Sequence, residues 1–207
     1  MAGPPSRAAA NGTAEFTQAA RRLFTGLGYD NTTNTMIADA AGVPVAAVAA
    51  AGGRGGLYRT IIADFYAAQN TMLDAAEADF SRDPAGIRRF LEHVLDFYLD
   101  HFDLMVIWNH RLMDDAADLH DIEESYRAPV YRRVAGIIGA ELIGDSDFQM
   151  MANVFTWSLY GFVSSGVYRS DGSLVGAEQE KARAEFRACM TRLQELVLDV
   201  HFSRLTG

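Results

Sequence analysis

The sequence predicts an all-α protein with a small N-terminal helix-turn-helix domain and a larger helical domain after it. Apolar residues recur at spacings of three and four along most of the chain, and no segment alternates between apolar and polar residues as a half-buried strand does. Glycine and proline divide this pattern into about nine segments of helical length. Apolar residues make up 49% of the 207 residues, which is enough for cores of ordinary size.

The first predicted helix covers about residues 14–27. Phe16 and Leu23 lie two turns apart on one apolar face. Gly28 follows them, and glycine is the usual residue at the left-handed position just past a helix. Residues 1–12 have no comparable pattern and are expected to form a disordered tail.

Two shorter helices are predicted next, with a sharp turn between them. Thr32 and Thr33 are the candidate N-caps of the second helix, because a threonine hydroxyl can accept from a free N–H of the first turn. Gly42 permits a tight turn, and Pro44 suits the first position of the third helix. Three short helices with a glycine turn are typical of a helix-turn-helix domain, here expected over residues 13–56.

A glycine-rich segment at residues 52–56 separates this domain from a helical domain over residues 57–207. Pro129 is expected to kink or divide one long helix there, because proline removes a backbone donor and clashes with the preceding turn. The predicted helices cover roughly residues 57–80, 84–101, 103–114, 116–140, 146–169 and 175–203.

The charge is distributed unevenly along the chain. The whole chain has a net charge of −9, from 18 basic and 27 acidic residues. Residues 1–60 carry five arginines and three carboxylates, and the remainder carries 13 basic and 24 acidic groups. A mildly basic N-terminal domain on an acidic body permits phosphate contact at one end of the chain only.

Composition also argues against membrane and secreted proteins. No apolar run approaches the roughly 18 residues that cross a bilayer, and the N-terminal residues lack the apolar core of a signal peptide. Cys189 is the only cysteine, so a reducing cytoplasm fits best. The apolar residues around Cys189 predict that it is a small buried side chain rather than a nucleophile.

No catalytic, cofactor or metal site is expected. The sequence contains no G-x-S-x-G segment, and its glycine-rich segment lacks the Lys-Ser/Thr of a phosphate-binding loop. His110 with Asp114 and His120 with Glu124 each lie one helical turn apart, but neither pair belongs to a larger ligand cluster. Exposed helices produce such spacings by chance.

Residues 19–43 resemble the N-terminal signature of the tetracycline-repressor (TetR) family, and the segment after Gly52 resembles the element that opens its fourth helix. Such proteins are dimeric DNA-binding transcriptional regulators whose body holds a small inducer. The resemblance implies that the second helix braces the domain and the third lies in the major groove. The matching residues are Leu23-Phe24, Gly28-Tyr29, Thr32-Thr33, Ile37-Ala38, Ala41-Gly42-Val43, Arg54 and Leu57-Tyr58.

The resemblance implies DNA contacts around the second and third helices. The third helix departs from the family pattern, because residues 44–51 contain no side chain that could read a base edge. Sequence readout would then depend on Asn34, Thr35, an arm carrying Arg7, or DNA shape. The predicted DNA-binding residues are Arg21, Arg22, Thr32, Thr33, Asn34, Thr35, Val45, Ala46, Ala47 and Arg54.

A ligand cleft is expected within the larger domain, where polar side chains are scattered among large apolar ones. These side chains predict an apolar or aromatic ligand, although large apolar side chains at helical spacing also form ordinary cores. The predicted ligand-binding residues are His93, Phe97, His101, Phe102, Met105, Trp108, Asn109, Met151, Phe155 and Trp157.

Two helices near the C-terminus carry the argument for a homodimer. One contains a small-residue seam and the other an apolar stripe, which could pack within one chain or between two. The small-residue seam is Ser158, Gly161 and Ser165, and the stripe is Phe186, Met190, Leu193, Val197 and Val200.

The resemblance therefore implies a cytoplasmic TetR-like transcriptional repressor that responds to a small ligand. The partners expected are double-stranded DNA, a small-molecule effector and a second copy of the chain, without a membrane. The alternative is a ligand- or partner-binding helical dimer whose helix-turn-helix has lost sequence-specific DNA binding. The composition of residues 44–51 favours this alternative, whereas the threonines and arginines at 21–35 favour the regulator.

Overall fold

A computed structural model describes residues 7–139, 142 and 144–206 and confirms the all-α prediction. The described ranges contain nine α-helices, a π-helical turn and a two-stranded hairpin. None of these helices combines the length and the apolar character needed to cross a membrane. The helices are α1 (Arg7–Leu27), α2 (Asn34–Ala41), α3 (Val45–Ala50), α4 (Gly53–Ala78), α5 (Pro84–Asp100), α6 (Phe102–Leu112), α7 (Ala128–Ile138), α8 (Ser146–Ser165) and α9 (Glu180–Thr206).

Helix α1 ends at Leu27 as predicted but begins earlier than expected. It starts at Arg7, so residues 7–12 of the expected tail are helical. Three alanines at 8–10 account for this, because alanine has the highest helix propensity. Residues 1–6 of the predicted tail lie outside the described residues.

The α2–turn–α3 segment follows the predicted cap chemistry with one change. Thr33 is the N-cap of α2, and its hydroxyl accepts from the backbone N–H of Met36 at 3.2 Å. Thr32 is not a cap, since it is buried and its hydroxyl donates to the Gly28 carbonyl at 2.7 Å. Gly42 has φ 66°, the left-handed conformation that the turn requires. Pro44 is the N-cap of α3 rather than its first residue.

The glycine-rich segment opens a helix as well as ending one. Gly52 separates α3 from α4, and α4 begins at Gly53, four residues before the predicted start. A Cβ atom at Gly56 would lie 2.8 Å from the Ala51 carbonyl oxygen. The absence of a side chain at Gly56 therefore lets the end of α3 and the start of α4 approach closely.

The described residues divide into two compact units that do not follow chain order. The head unit comprises the described residues up to Ala67 together with Ile107–Tyr126, and the body unit comprises Ala68–Val106 and the described residues from Arg127 onward. The sequence predicted a division at residue 57 into two domains, each continuous in the chain. It did not predict that Ile107–Tyr126 would belong to the head unit. The reason is that side chains of residues 107–126 bind the connection between α1 and α2.

The core of the head unit is built around three aromatic rings. Phe24, Tyr29 and Tyr58 are buried, with ring centroids 5.1 to 5.8 Å apart. Ile37 of α2 and Val48 of α3 are fully buried in the same unit. The two short helices are therefore held by their apolar faces, as the sequence pattern predicted.

The helix predicted over residues 116–140 is wrong in its first half. Asp114 and Ala116 have φ values of 68° and 58°, which a right-handed helix does not tolerate. The chain continues through turns to a π-helical turn at Glu123–Arg127. Helix α7 begins next, with Pro129 in its first turn, so the division expected at Pro129 is confirmed.

The body unit contains a feature that the sequence did not predict, a hairpin between α8 and α9. Val167–Tyr168 pairs antiparallel with Leu174–Val175. The helices predicted at 146–169 and 175–203 were therefore too long at this junction, because α8 ends at Ser165 and α9 starts at Glu180. Strands of two residues are too short to produce a readable alternation.

Candidate nucleic-acid interface and ligand-binding residues

The start of α2 presents exposed hydroxyl groups. Thr33 and Thr35 are both exposed, and Thr33 also holds the N-cap. The N–H groups at a helix N-terminus carry partial positive charge, which favours a phosphate there. Arg22 on α1 is exposed as well, and Arg21 is half-buried. Arg21, Arg22 and Thr33 have donor groups suited to a phosphate, and Thr35, for which the sequence predicts base readout, is exposed as well.

Arg54 is used inside the head unit. Its Nη1 donates to the carbonyls of Tyr29, Asp30 and Thr32, each at 3.2 Å. Its guanidinium also lies 4.3 Å from the centre of the Tyr29 ring. Three carbonyls and one ring hold this side chain against the connection between α1 and α2. Its structural task is to stabilise that connection.

Two further predicted contact residues have internal partners. The Oδ1 atom of Asn34 accepts from the backbone N–H of Arg54 at 2.7 Å. Thr32 is buried, and its hydroxyl is bonded to Gly28. With Asn34 engaged at the start of α4, Thr35 is the polar side chain of α2 better placed to reach a base edge.

Helix α3 presents an apolar surface. Val45 is 42% exposed, Ala46 is exposed and Ala47 is half-buried. Ala49 and Ala50 are exposed too. These side chains could contact a thymine methyl group, but they have no donor or acceptor for a base edge.

The head unit contains more acidic than basic residues once Ile107–Tyr126 is included. The residues assigned to it contain six arginines and ten carboxylates. Arg59 is paired with Asp121 at 2.6 Å, and Arg111 is paired with Glu123. A phosphate contact by this unit therefore depends on local arginines rather than on a broad basic surface.

Arg111 is a structural residue that the sequence analysis did not identify. Its side chain is 7% exposed and binds both carboxylate oxygens of Glu123, at 2.6 and 2.7 Å. It also donates to the carbonyls of Ala116 and, at 2.8 Å, Leu119. One guanidinium therefore satisfies the acceptors of a loop that has no regular structure of its own.

Asp115 joins the same loop to the connection after α1. Its carboxylate accepts from the backbone N–H groups of Tyr29 at 2.8 Å and Asp30 at 2.9 Å. The Tyr29 hydroxyl bonds the Asp118 carboxylate at 3.3 Å. Burial and Asp118 together raise the pKa of Tyr29 above its usual value. No sequence motif marks these residues, because their partners lie more than 80 positions away.

The predicted ligand-binding residues fall into both units. Trp108 and Asn109 belong to the head unit, and Trp108 is buried there. The other eight belong to the body unit. Among these, Met105 and Phe97 are buried, whereas Trp157 is 58% exposed. The half-buried members are His93, His101, Phe102, Met151 and Phe155.

Contacts among these residues give the body unit an aromatic corner. The His101 ring lies 4.3 Å from the Phe97 ring, and its Nδ1 is 2.8 Å from the Phe97 carbonyl oxygen. The guanidinium of Arg183 lies 5.5 Å from the centre of the Phe102 ring. Apolar surface with fixed polar groups beside it is the composition of a small-molecule site.

A group of phenols that the sequence analysis did not single out lies elsewhere in the body unit. The hydroxyl of Tyr98 accepts from Gln69 Nε2 at 2.7 Å. Burial raises the pKa of Tyr98 well above the usual range and also raises the pKa of Tyr160. Arg127 lies over the Tyr131 ring at 5.4 Å.

The two predicted dimer helices each expose an apolar stripe. On α8 the exposed residues are Met150, Val154 and Trp157, and on α9 they are Leu193, Leu196 and Val200. We call these six residues the outer stripes. Phe186 and Met190 of the predicted α9 stripe instead face inward, since Phe186 stacks on Phe162 at 4.2 Å and Met190 is buried. Cys189, expected to be buried, is exposed, because it lies on the outward side of α9.

No protein-family model and no curated protein sequence matches the chain. Solved structures do match it. A TetR-like transcriptional regulator from Rhodococcus sp. RHA1 aligns with TM-score 0.62 and 16% identity over 97% of this chain and 99% of its own.

Two other regulators are similar over almost the whole chain. The fatty acid degradation regulator FadR from Bacillus halodurans aligns with TM-score 0.57 and 13% identity, over 96% of each chain. A TetR-family regulator from Mesorhizobium loti aligns with TM-score 0.55 and 14% identity, over 95% of this chain and 98% of its own. The chain therefore has the TetR-like fold.

Proposed function

We propose that this chain, which has the TetR-like fold, is a cytoplasmic DNA-binding transcriptional repressor that responds to a small apolar or aromatic ligand. The observation that carries the proposal is the helix-turn-helix itself. Its second helix has a capped N-terminus with exposed hydroxyls, and its third helix is held by buried Val48 and exposes Val45 and Ala46. The three similar structures, all of regulators and two of them transcriptional regulators, support it.

DNA binding in this proposal rests mainly on phosphate contacts. Arg22, Thr33 and Thr35 are exposed, whereas Arg54 and Asn34 have partners inside the head unit. Phosphate contacts position a protein on DNA without reading its sequence. The resulting discrimination between sites is weak and comes from Thr35, from methyl contacts of α3 and from DNA shape.

Thr33→Ala is expected to weaken binding to every duplex by a similar factor of about five to ten, because one hydrogen bond and one helix cap are lost together. Thr35→Ala is expected to reduce the ratio of the affinity for a specific duplex to the affinity for an unrelated duplex. Thr60→Ala is the matched control, since Thr60 is an exposed threonine of α4 bonded to its own helix at Gly56. Fluorescence-anisotropy titration measures all three, and equal affinities for Thr33→Ala and the control would remove Thr33 from the interface.

The body unit supplies the proposed ligand response and the homodimer. The ligand is expected against the aromatic corner formed by Phe97, His101 and Phe102. The outer stripes of α8 and α9 expose six large apolar side chains, and exposed apolar side chains that follow one face of a helix favour a protein partner. We propose a second copy of the chain, related by a twofold axis, because an isologous contact lets both stripes pair with themselves.

The alternative function is a ligand- or partner-binding helical dimer without sequence-specific DNA binding. Three observations support it: the apolar surface of α3, the internal use of Thr32, Asn34 and Arg54, and the excess of carboxylates in the head unit. It predicts no measurable binding to any duplex even at low salt, whereas the repressor proposal predicts binding that salt weakens.

A further inference from the structure

Helices α5 and α9 pack in antiparallel directions, and two ion pairs fix their register. Near one end, Arg88 faces Glu195 at 3.6 Å. Near the other, Arg187 binds both carboxylate oxygens of Asp96, with Nη2 2.8 Å from Oδ2. We call the contact between these ion pairs the α5–α9 seam.

Two polar residues of α9 lie inside this seam. Arg187, Thr191 and Gln194 follow one another at spacings of four and three, so they share the face of α9 that meets α5. Gln194 is 6% exposed. Leu95 of α5 and Leu198 of α9 are buried and give the seam an apolar lining.

Four buried polar atoms between the ion pairs lack partners among the residues that the structure describes. Within the described part of the chain, neither Nε2 nor Oε1 of Gln194 has a hydrogen-bond partner. The same holds for the buried Oγ1 of Thr191 and the buried Nε of Arg88. More than nine in ten buried polar groups in proteins are paired, because an unpaired one loses its water without compensation.

We propose that the seam binds the carboxamide group of a small amphipathic molecule. The Gln194 amide donates to the carbonyl oxygen of that group and accepts from its N–H, so both Nε2 and Oε1 gain a partner. Arg88 Nε and the Thr191 hydroxyl are further unpaired donors in the seam. The apolar part of the molecule packs on the leucines of the two helices. This inference deepens the proposed ligand response and rests on it.

The test uses the full chain without DNA. Benzamide is the probe, and ethylbenzene, which has the same ring and a chain of similar size but no amide, is the apolar control. Isothermal titration calorimetry measures both in the wild-type chain and in Gln194→Met, an unbranched apolar replacement. Gln179→Met is the control variant, because Gln179 is exposed in the same unit.

We expect benzamide to bind the wild-type chain and Gln179→Met equally and to bind Gln194→Met at least tenfold more weakly. The affinity for ethylbenzene should differ by less than twofold among the wild-type chain and the two variants. Without ligand, Gln194→Met should melt at a higher temperature, because two unpaired buried atoms are removed. Thr191→Val replaces only the hydroxyl and should weaken benzamide binding severalfold. This variant provides the test if Gln194→Met does not fold.

Equal benzamide affinity in wild type and both seam variants would overturn the proposal, as would no benzamide binding to the wild-type chain. A higher melting temperature of Gln194→Met in either case would show only that unpaired polar atoms are buried in the seam, without a ligand. The proposed repressor function fails separately. DNA binding that ethylbenzene weakens, without preference for benzamide, would leave that function in place and overturn only the seam.

Discussion

The Arg111→Met variant is expected to lose about 3 kcal/mol of unfolding free energy, a large part of the stability of an ordinary domain. The Arg111 side chain is 7% exposed, and its guanidinium binds Glu123 and the carbonyls of Ala116 and Leu119. Methionine can fill the space but leaves both carbonyls without a donor. Glu123 is 47% exposed on its side chain and can return to water, so the carbonyls account for most of the loss.

The measurement is thermal unfolding followed by tryptophan fluorescence, to which Trp108, buried in the head unit, contributes together with the exposed Trp157. A loss of this size lowers the midpoint by roughly 10 °C or more in a unit of this length. Arg132→Met is the matched control, because Arg132 is exposed on α7 and its removal should change stability by less than about 0.5 kcal/mol. Equal midpoints for the two variants would mean that Arg111 does not hold the loop.

The largest expected effect on assembly comes from charges on the outer stripe of α9. Leu193→Asp with Leu196→Asp places four carboxylates in the proposed twofold interface, each losing its water without a partner. Burying unpaired charges costs several kcal/mol each, so the dissociation constant should rise by a factor of about a thousand or more. Both residues are exposed in the single chain, at 47% and 63%, so folding itself should be unaffected.

Sedimentation velocity at micromolar concentration measures the outcome. The double variant should sediment as a monomer with the helical circular dichroism of the wild-type chain. Ala184→Asp is the control, because Ala184 is an exposed position of α9 outside the stripe. A double variant that remains dimeric would place the interface on another surface.

Local chemistry allowed the helices and one cap to be predicted. Thr33 caps α2, Gly42 forms the turn and Pro129 begins a helix, because each of these effects depends on neighbours within four residues. The loop after α6 could not be predicted. Its conformation depends on Asp115 bonding to Tyr29 and Asp30, and apolar periodicity does not show a partner 85 positions away.

The sequence indicated which residue types a DNA or ligand site would use, but it did not indicate which of these side chains have partners inside their own unit. Arginine and asparagine near a helix-turn-helix favour DNA contacts, yet Arg54 and Asn34 bind the backbone of their own unit. Trp157 was predicted as a ligand residue by its aromatic character and is exposed on α8. Which face of an amphipathic helix is covered depends on tertiary packing, so the sequence could not separate the inner residues of α9 from its outer stripe.

The central claim is that the head binds DNA through its phosphates, and the salt dependence of affinity tests it most directly. The wild-type chain is titrated against genomic fragments and unrelated duplex at several salt concentrations. Arg21 and Arg22 from two copies would neutralise about four phosphates, which gives a slope near −4 in log affinity against log salt. Affinity should therefore fall about a hundredfold between 50 and 200 mM salt. No binding at the lowest salt concentration would contradict the account.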